Sequence, residues 1–396
     1  MSYKITKICC YTGYITQAVA INFAPLLFVT FQNTFNISYA LIGTLVLINF
    51  LVQLGTDIIS VFFLDKIGFR VSAVLSQIFA ATGLMLLSVL PYMIPNAFLG
   101  ICIATMIYSV GAGLIEVVIN PIMASIPSEG KGLVFLHSFY CWGQLFVVLL
   151  TTLALKVFGA SSWVYISPIW GLIPLINGII FLKAPIAPPE SEEKTENGVG
   201  LLKNNLFICL AVLMVCAGAS ELAMGQWAST FAQNALGIDK LTGDLLGPCL
   251  FAFFMGIGRT VFGIKGDNLN YKKHMIICSS LCILCYVAAA LSKNPYIALL
   301  GCAFCGYAVS ILWPGTVDLA SRIFPNGSGA MYSMIAIFGD VGCSIGPFLT
   351  GIIASLKIFG SNALKAGLLL NIIYPLVYIL IIVKKGGIYK EKQELS

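Results

Sequence analysis

Charge is what this sequence has least of. Only 10% of its 396 residues are Asp, Glu, Lys or Arg, against about 25% in a soluble domain. With 59% hydrophobic residues, that scarcity leaves no room for an aqueous catalytic domain, and no enzyme activity is expected. Also missing is the alternation of apolar and polar residues that an outer-membrane barrel needs. No phosphate-cradling glycine loop occurs, so nucleotide hydrolysis is not the energy source. The net charge of +6 is spread over many loops and forms no nucleic-acid patch. Most of the 13 cysteines lie inside apolar runs, which speaks against a disulfide framework. Cys278, Cys282 and Cys285 are read as small apolar filler rather than a metal site, since no His or carboxylate accompanies them. No cofactor is expected.

What is present is twelve long apolar runs. A helix spanning lipid needs about 20 such residues. The pattern places helices near 8–31, 40–64, 70–90, 97–124, 133–157 and 163–182, then 205–233, 243–264, 273–291, 295–322, 329–356 and 361–384. The first run imitates a secretory leader, with Ala18-Val19-Ala20 as a cleavage site. It continues past Phe23 at full span length, so cleavage is not expected. Lys156, Lys240, Lys293, Lys357 and Lys365 fall on one side of the spans and Arg259 inside one. The remaining basic residues share the side of the termini, which places both termini in the cytoplasm of a cell membrane protein.

One polar segment divides the chain. Residues 184–203 hold three prolines and an acidic run, and cannot bury a core. The expected organisation is a six-helix bundle over 1–183, a cytoplasmic linker over 184–203, and a second bundle over 204–396. The halves resemble each other at an offset near 200 residues. Thr30-Phe31 matches Thr230-Phe231, and Trp142-Gly143-Gln144 matches Phe338-Gly339-Asp340.

Charges inside the runs are selective. Asp57, Glu116, His137, Glu221, Arg259, Asp318 and Asp340 lie on the second, fourth, fifth, seventh, eighth, tenth and eleventh. The third, sixth, ninth and twelfth have none in their interiors. An ionisable group in hydrocarbon costs roughly 2.5–3.5 kcal/mol or more, so it faces a bundle interior or a wet cavity. The charge-free runs are therefore read as lipid-facing props.

The Asp65-Lys66-Ile67-Gly68-Phe69-Arg70 loop resembles the cytoplasmic loop motif of the major facilitator superfamily. Val61 stands where the family has a glycine. The second-half copy keeps Gly263 and Asp267 but loses most basic positions. The resemblance, carried by the whole layout over residues 1–385, implies two pseudo-symmetric six-helix bundles around a central cavity. It also implies that Asp65, Arg70 and Asp267 steady one state of the transport cycle. Gly111-Ala-Gly113-Leu-Ile-Glu116-Val-Val-Ile-Asn120-Pro121 is similar to the fourth-helix pattern of the fucose permease branch, the proton-coupled sugar symporters. There the glutamate is the protonatable group beside the sugar, a role that falls here on Glu116. The aspartate of that branch's first helix is replaced by Gln17 and Asn22. Glu221-Leu-Ala-Met-Gly225-Gln226-Trp227 resembles the acid-then-tryptophan pattern of sugar-transporting relatives, with Glu221 as a second proton-coupling candidate.

Physical reading of the same residues runs parallel. Glu116 and Asn120 share a helix face, and Gly111 and Gly113 admit a close neighbour. Gly225 is expected to turn Gln226 and Trp227 toward the cavity, where an indole suits the C–H face of a sugar. Asn49 and Gln53 with Thr56, His137 and Gln144 with Tyr140, and Asp340 with Ser333 and Ser344 form stripes at helical spacing. Each stripe serves either a cavity or helix–helix hydrogen bonding. Trp227 and Trp313 offer flat surfaces. Asp57 and Arg259, 202 positions apart in equivalent places, are expected to pair across the halves as a gate or else each within its own half. Arg259 is expected below the binding site. The function that fits is secondary transport of a small polar solute by a monomer: proton-coupled uptake of a neutral sugar. The rivals are a proton-driven exporter, whose cavity should be mostly apolar, and a membrane sensor on the same fold that moves nothing.

Overall fold

The computed structural model describes residues 3–124, 126, 132–186, 201–265, 271–324 and 329–385. The protein is all-α, and the described residues hold twelve helices long and apolar enough to cross a membrane. The expected loop positions Asp267 and Asn268, and 187–200 of the expected linker, lie outside the described residues, as does the side chain of Asp65.

In lipid every backbone polar group must bond within its own segment, which is why continuous apolar runs become helices. The spans are α1 (Lys4–Phe35), α2 (Tyr39–Ile67), α3 (Phe69–Leu87), α4 (Ala97–Ala124), α5 (Gly132–Phe158) and α6 (Trp163–Lys183). The second set is α7 (Asn205–Asn234), α8 (Lys240–Phe262), α9 (Tyr271–Leu291), α10 (Pro295–Ala320), α11 (Gly329–Ala354) and α12 (Ile358–Lys384). Connections are short and locally encoded. Gly68, at φ 83°, is the lone residue between α2 and α3. Side chains of Ser38, Asn204, Asp239 and Asn294 accept backbone N–H groups at the starts of α2, α7, α8 and α10, as N-caps do. Prolines interrupt the regularity: a 3-10 turn over Ala24–Leu27 in α1 and a π turn over Leu245–Cys249 in α8.

The pairing of helices repeats after six. Within the first six, α1 packs on α4, α5 and α6, α2 on α4, and α3 on α4 and α6. Within the second, α7 packs on α10, α11 and α12, α8 on α10, and α9 on α10 and α12. The starts of α1 and α7, Lys4 and Asn205, and of α2 and α8, Tyr39 and Lys240, are each 201 positions apart. The two bundles meet along α2 with α11 and along α5 with α8, a pattern that maps onto itself when the halves are exchanged. Helices α3, α6, α9 and α12, whose apolar runs carry no interior charge, stand outside these seams and carry exposed apolar side chains such as Phe79, Ile169, Leu284 and Leu376. The helices with interior charges, together with α1, line the space between the halves.

Even numbers of spans return both ends to one side, here called the terminal face; the opposite side is the far face. At the far face the α2–α11 seam is tight. A Cβ on Gly351 would lie 2.8 Å from the Tyr39 carbonyl oxygen, so glycine alone permits this approach.

Candidate functional site

Between the halves lies a cavity of about 100 Å³, smaller than the roughly 300–1,000 Å³ usual for ligand sites. The first half lines it with Tyr14, Gln17 and Ile21 of α1, Phe50 and Gln53 of α2, Glu116 of α4, and His137 and Tyr140 of α5. The second half adds Glu221 and Leu222 of α7, Arg259 of α8, Trp313 of α10, and Asp340 and Cys343 of α11. His137, near the terminal end of α5, is exposed at the mouth.

Of the three acids in the lining, Glu116 and Glu221 have unlike partners. Gln17 Nε2 donates to Glu116 Oε2 at 2.9 Å. Arg259 Nη2 donates to both oxygens of Glu221, at 2.9 and 2.8 Å. The second contact is an ion pair made inside the second half. Away from water such a pair holds only when geometry is good, and losing one member leaves an uncompensated charge. Arg259 Nε is buried and has no hydrogen-bond partner among the described residues. Around Glu116, Tyr14 donates its hydroxyl to Asn120 Oδ1 at 2.8 Å, and the Asn120 amide donates to the Glu116 carbonyl. The Tyr14 ring meets His137 edge-on, with centroids 5.1 Å apart.

The expected site residues divide by depth. Gln17, Gln53, Glu116, His137, Glu221, Trp313 and Asp340 line the cavity. Asn22 is buried, donating to the Ala18 carbonyl and to Tyr140 Oη. Asn49 is buried, accepting from Gln53 and Ser109. Gln144 is buried on α5 behind the cavity wall. Helix α7 runs unbroken past Gly225, so Gln226 and Trp227 do not turn toward the cavity. Gln226 donates across the halves to the Ile21 carbonyl. Trp227 has no exposed surface; its Nε1 donates to the Pro347 carbonyl, and its ring packs against Phe28 and Tyr39. These two residues belong to the floor that closes the cavity toward the far face.

The expected Asp57–Arg259 pair is not formed, and Arg259 lies in the cavity rather than below it. The two-fold relation sets α2 against α11 and α8 against α5, so the equivalent α2 and α8 are not neighbours. Arg259 takes the acid of its own half, and Asp57 comes to Asp340. Arg70 also stays within its half, donating to the Phe181 and Leu182 carbonyls at the end of α6, where a cation complements the helix terminus.

The far face holds residues that the sequence reading passed over. Asp244, fully buried, accepts from Thr152 of the first half at 2.7 Å, from Ser229, and from Lys240 Nζ at 2.7 Å. Lys240 Nζ also donates to the Leu26 carbonyl of the first half at 2.8 Å. Asn234 reaches Gln32 and Tyr39, each at 2.9 Å. The signal available was an acid and a lysine four apart at the head of the eighth run. Tyr14, three residues before Gln17, and Tyr140, three after His137, were legible from the same helical spacing.

The sequence profile of the Major Facilitator Superfamily matches residues 10–347. No curated protein matches the chain in sequence. Among solved structures, the chain is similar to the fucose:proton symporter of E. coli at 14% identity and TM-score 0.69, covering 97% of this chain and 99% of that one. It is similar to a D-xylose-proton symporter at 14% identity and TM-score 0.75, covering 96% and 97%. It is also similar to a nucleoside transporter at 13% identity and TM-score 0.73, covering 97% and 99%. At such identities these likenesses speak for the fold.

Proposed function

The chain belongs to the Major Facilitator Superfamily, and we propose that it carries a neutral sugar into the cell by alternating access, driven by protons. In this reading the protein lies in the cell membrane with the terminal face toward the cytoplasm, as its basic residues suggest. The cavity described above is then open inward and closed outward.

The observation that carries the reading is the lining. Every charged side chain of its second half except Asp340 is locked in the Glu221–Arg259 pair, so the guanidinium offers little net charge to a solute. What remains, besides the acids Glu116 and Asp340, is amide, phenol and imidazole beside the Trp313 ring and the Phe50 ring. Such groups suit hydroxyls on one side and a C–H face on the other. Most of the lining residues carry a polar side-chain group, where the exporter reading expects apolar ones. Glu116 is the coupling group because its side chain is held by a neutral amide and not by a cation.

The test uses purified protein in liposomes. Counterflow of radiolabelled monosaccharides, with organic anions and lipophilic cations as parallel probes, identifies the solute class. An inward-acidifying pH gradient then tests coupling. Accumulation of a neutral sugar that collapses with a protonophore is the expected result. Flux confined to cations or anions sinks the sugar reading, and absence of flux for all three favours the sensor.

A further inference from the structure

One pair of acids is left over by this reading. Asp57, on α2, and Asp340, on α11, come within hydrogen-bonding reach across the boundary between the halves. Carboxylates cannot hydrogen-bond each other unless one carries a proton. Asp340 is 6% exposed. Asp57 Oδ1 and Asp340 Oδ2 are buried, and neither receives a donor among the described residues. The backbone of α4 presses on the pair from one side: a Cβ on Gly113 would lie 3.0 Å from Asp57 Oδ1. Among the described residues, the other ionisable groups beside this place are Glu116 of α4 and Cys343 of α11, and Cys343 in turn faces Glu221 with its partner Arg259. The only cation among them is thus already taken.

Position gives the pair its meaning. Along the α2–α11 seam the halves touch at Gly43 and Gly351 near the far face. Asp57 lies 14 residues further along α2, roughly 20 Å at the helical rise. The acids therefore sit at the cavity end of the seam that closes the far face. Two ionised carboxylates there would push α2 and α11 apart; one proton shared between them joins the helices.

We propose that Asp57 and Asp340 hold a single proton between them, as a carboxyl–carboxylate site distinct from Glu116, and that this proton clasps α2 to α11 while the far face is closed. The proposal rests on the alternating-access reading above. When the clasp opens, the O–H···O contact breaks and the proton leaves to water. Both acids are then ionised and apart. Rebinding of one proton restores the contact. The clasp thus makes far-face closure depend on pH even without sugar.

The experiment follows that closure directly and uses no substrate, so its failure is separate from failure of the sugar reading. Spin labels go on Phe158 and Ile358, exposed far-face positions of the two halves. Cys209, alone among the cysteines in not being buried, is replaced by Ser. Distance distributions are recorded from pH 5 to 9 in choline chloride. A single linked proton changes the open-to-closed ratio by at most about tenfold per pH unit. The expected result is a separated population that grows with pH in the parent. In Asp57→Asn and in Asp340→Asn the growth should fall below about twofold over the whole range, because an amide donates to the remaining carboxylate without a proton. Glu116→Gln, which removes a neighbouring carboxyl charge, should shift the pH response without abolishing it. A parent indifferent to pH would overturn the proposal, as would a parental response in both Asn variants. So would a response abolished by Glu116→Gln alone. Closure restored at pH 9 by sodium chloride would also overturn it, by making the occupant a metal cation rather than a proton.

Discussion

The far-face contact between Thr152 and Asp244 offers a test of alternating access that needs no substrate. It joins α5 of one half to α8 of the other, so it exists only while that face is closed. Replacing Thr152 by Val keeps the shape and removes one hydrogen bond to a buried carboxylate. Hydrogen bonds to charged groups contribute about 1.5–3 kcal/mol, and about 2 kcal/mol corresponds to roughly a thirtyfold change in an equilibrium. Asp244→Asn goes further, since it also ends the ion pair with Lys240. Breaking a fully buried pair costs about 3–5 kcal/mol. The lysine side chain is 22% exposed and partly screened, so about 3 kcal/mol, on the order of a hundredfold, is the fair figure. The assay is the labelling rate of a cysteine introduced at Ala24, buried beneath the closed face, by a membrane-impermeant thiol reagent added from that side. Both variants should react faster, in the order Asp244→Asn, Thr152→Val, parent. Thr151→Val is the control: Thr151 accepts from Trp170 at 2.9 Å within the first half, so its loss should lower the melting temperature without raising the rate. Equal acceleration in the control, or none in either far-face variant, would refute the assignment of these bonds to a closed state.

Three further outcomes are expected. Glu116→Gln should abolish accumulation driven by a pH gradient while counterflow persists, because glutamine mimics only the protonated form; accumulation that still follows pH would remove Glu116 from the coupling role. Arg259→Ala should destabilise the protein by about 3–5 kcal/mol by stranding the Glu221 charge, whereas Arg259→Met with Glu221→Leu should recover most of it; thermal unfolding in detergent decides, and a double variant no better than the single would contradict a buried pair. Trp227→Ala should create a void costing about 3–5 kcal/mol in the far-face floor and speed the Ala24 labelling, with sugar affinity at the open face nearly unchanged; calorimetry showing a large affinity loss instead would return the indole to the binding site.

The sequence carried the architecture because lipid leaves the backbone so few choices. Apolar run length set the spans, and interior charge sorted most of the helices: four of the five runs without it stand outside the seams between halves, while the first lines the cavity through Tyr14 and Gln17. The cavity wall was partly legible, since Gln17, Gln53, Glu116, His137, Glu221, Trp313 and Asp340 carry polar or flat groups inside apolar runs. Pairing between helices was not. Asp57 and Arg259 are equivalent in the repeat, and that equivalence misleads, since a two-fold axis places equivalent helices on opposite sides of itself. Depth along a helix was equally hidden. Gln226 and Trp227 stand less than two turns from Glu221 on the same helix, yet they lie under the closed face because the halves meet there. Whether a polar residue lines a cavity or seals a seam depends on the state of the whole bundle, which no local pattern records.

The unlike partners of the two cavity glutamates argue for a division of labour. An arginine can only donate, so it holds Glu221 in one form, ionised, and the pair behaves as a fixed dipole in the wall. An amide can do both. The Gln17 side chain donates its N–H to an ionised Glu116, and with its oxygen turned inward it accepts from a protonated one. A group that must gain and lose a proton once per cycle needs a partner that serves both forms at similar cost. A glutamate tied to a cation would forfeit most of the pair's energy on every protonation. In the proposed cycle, therefore, proton traffic belongs to the half of the cavity built on α1 and α4, and Glu221 with Arg259 supplies the rigid surface against which the solute is placed.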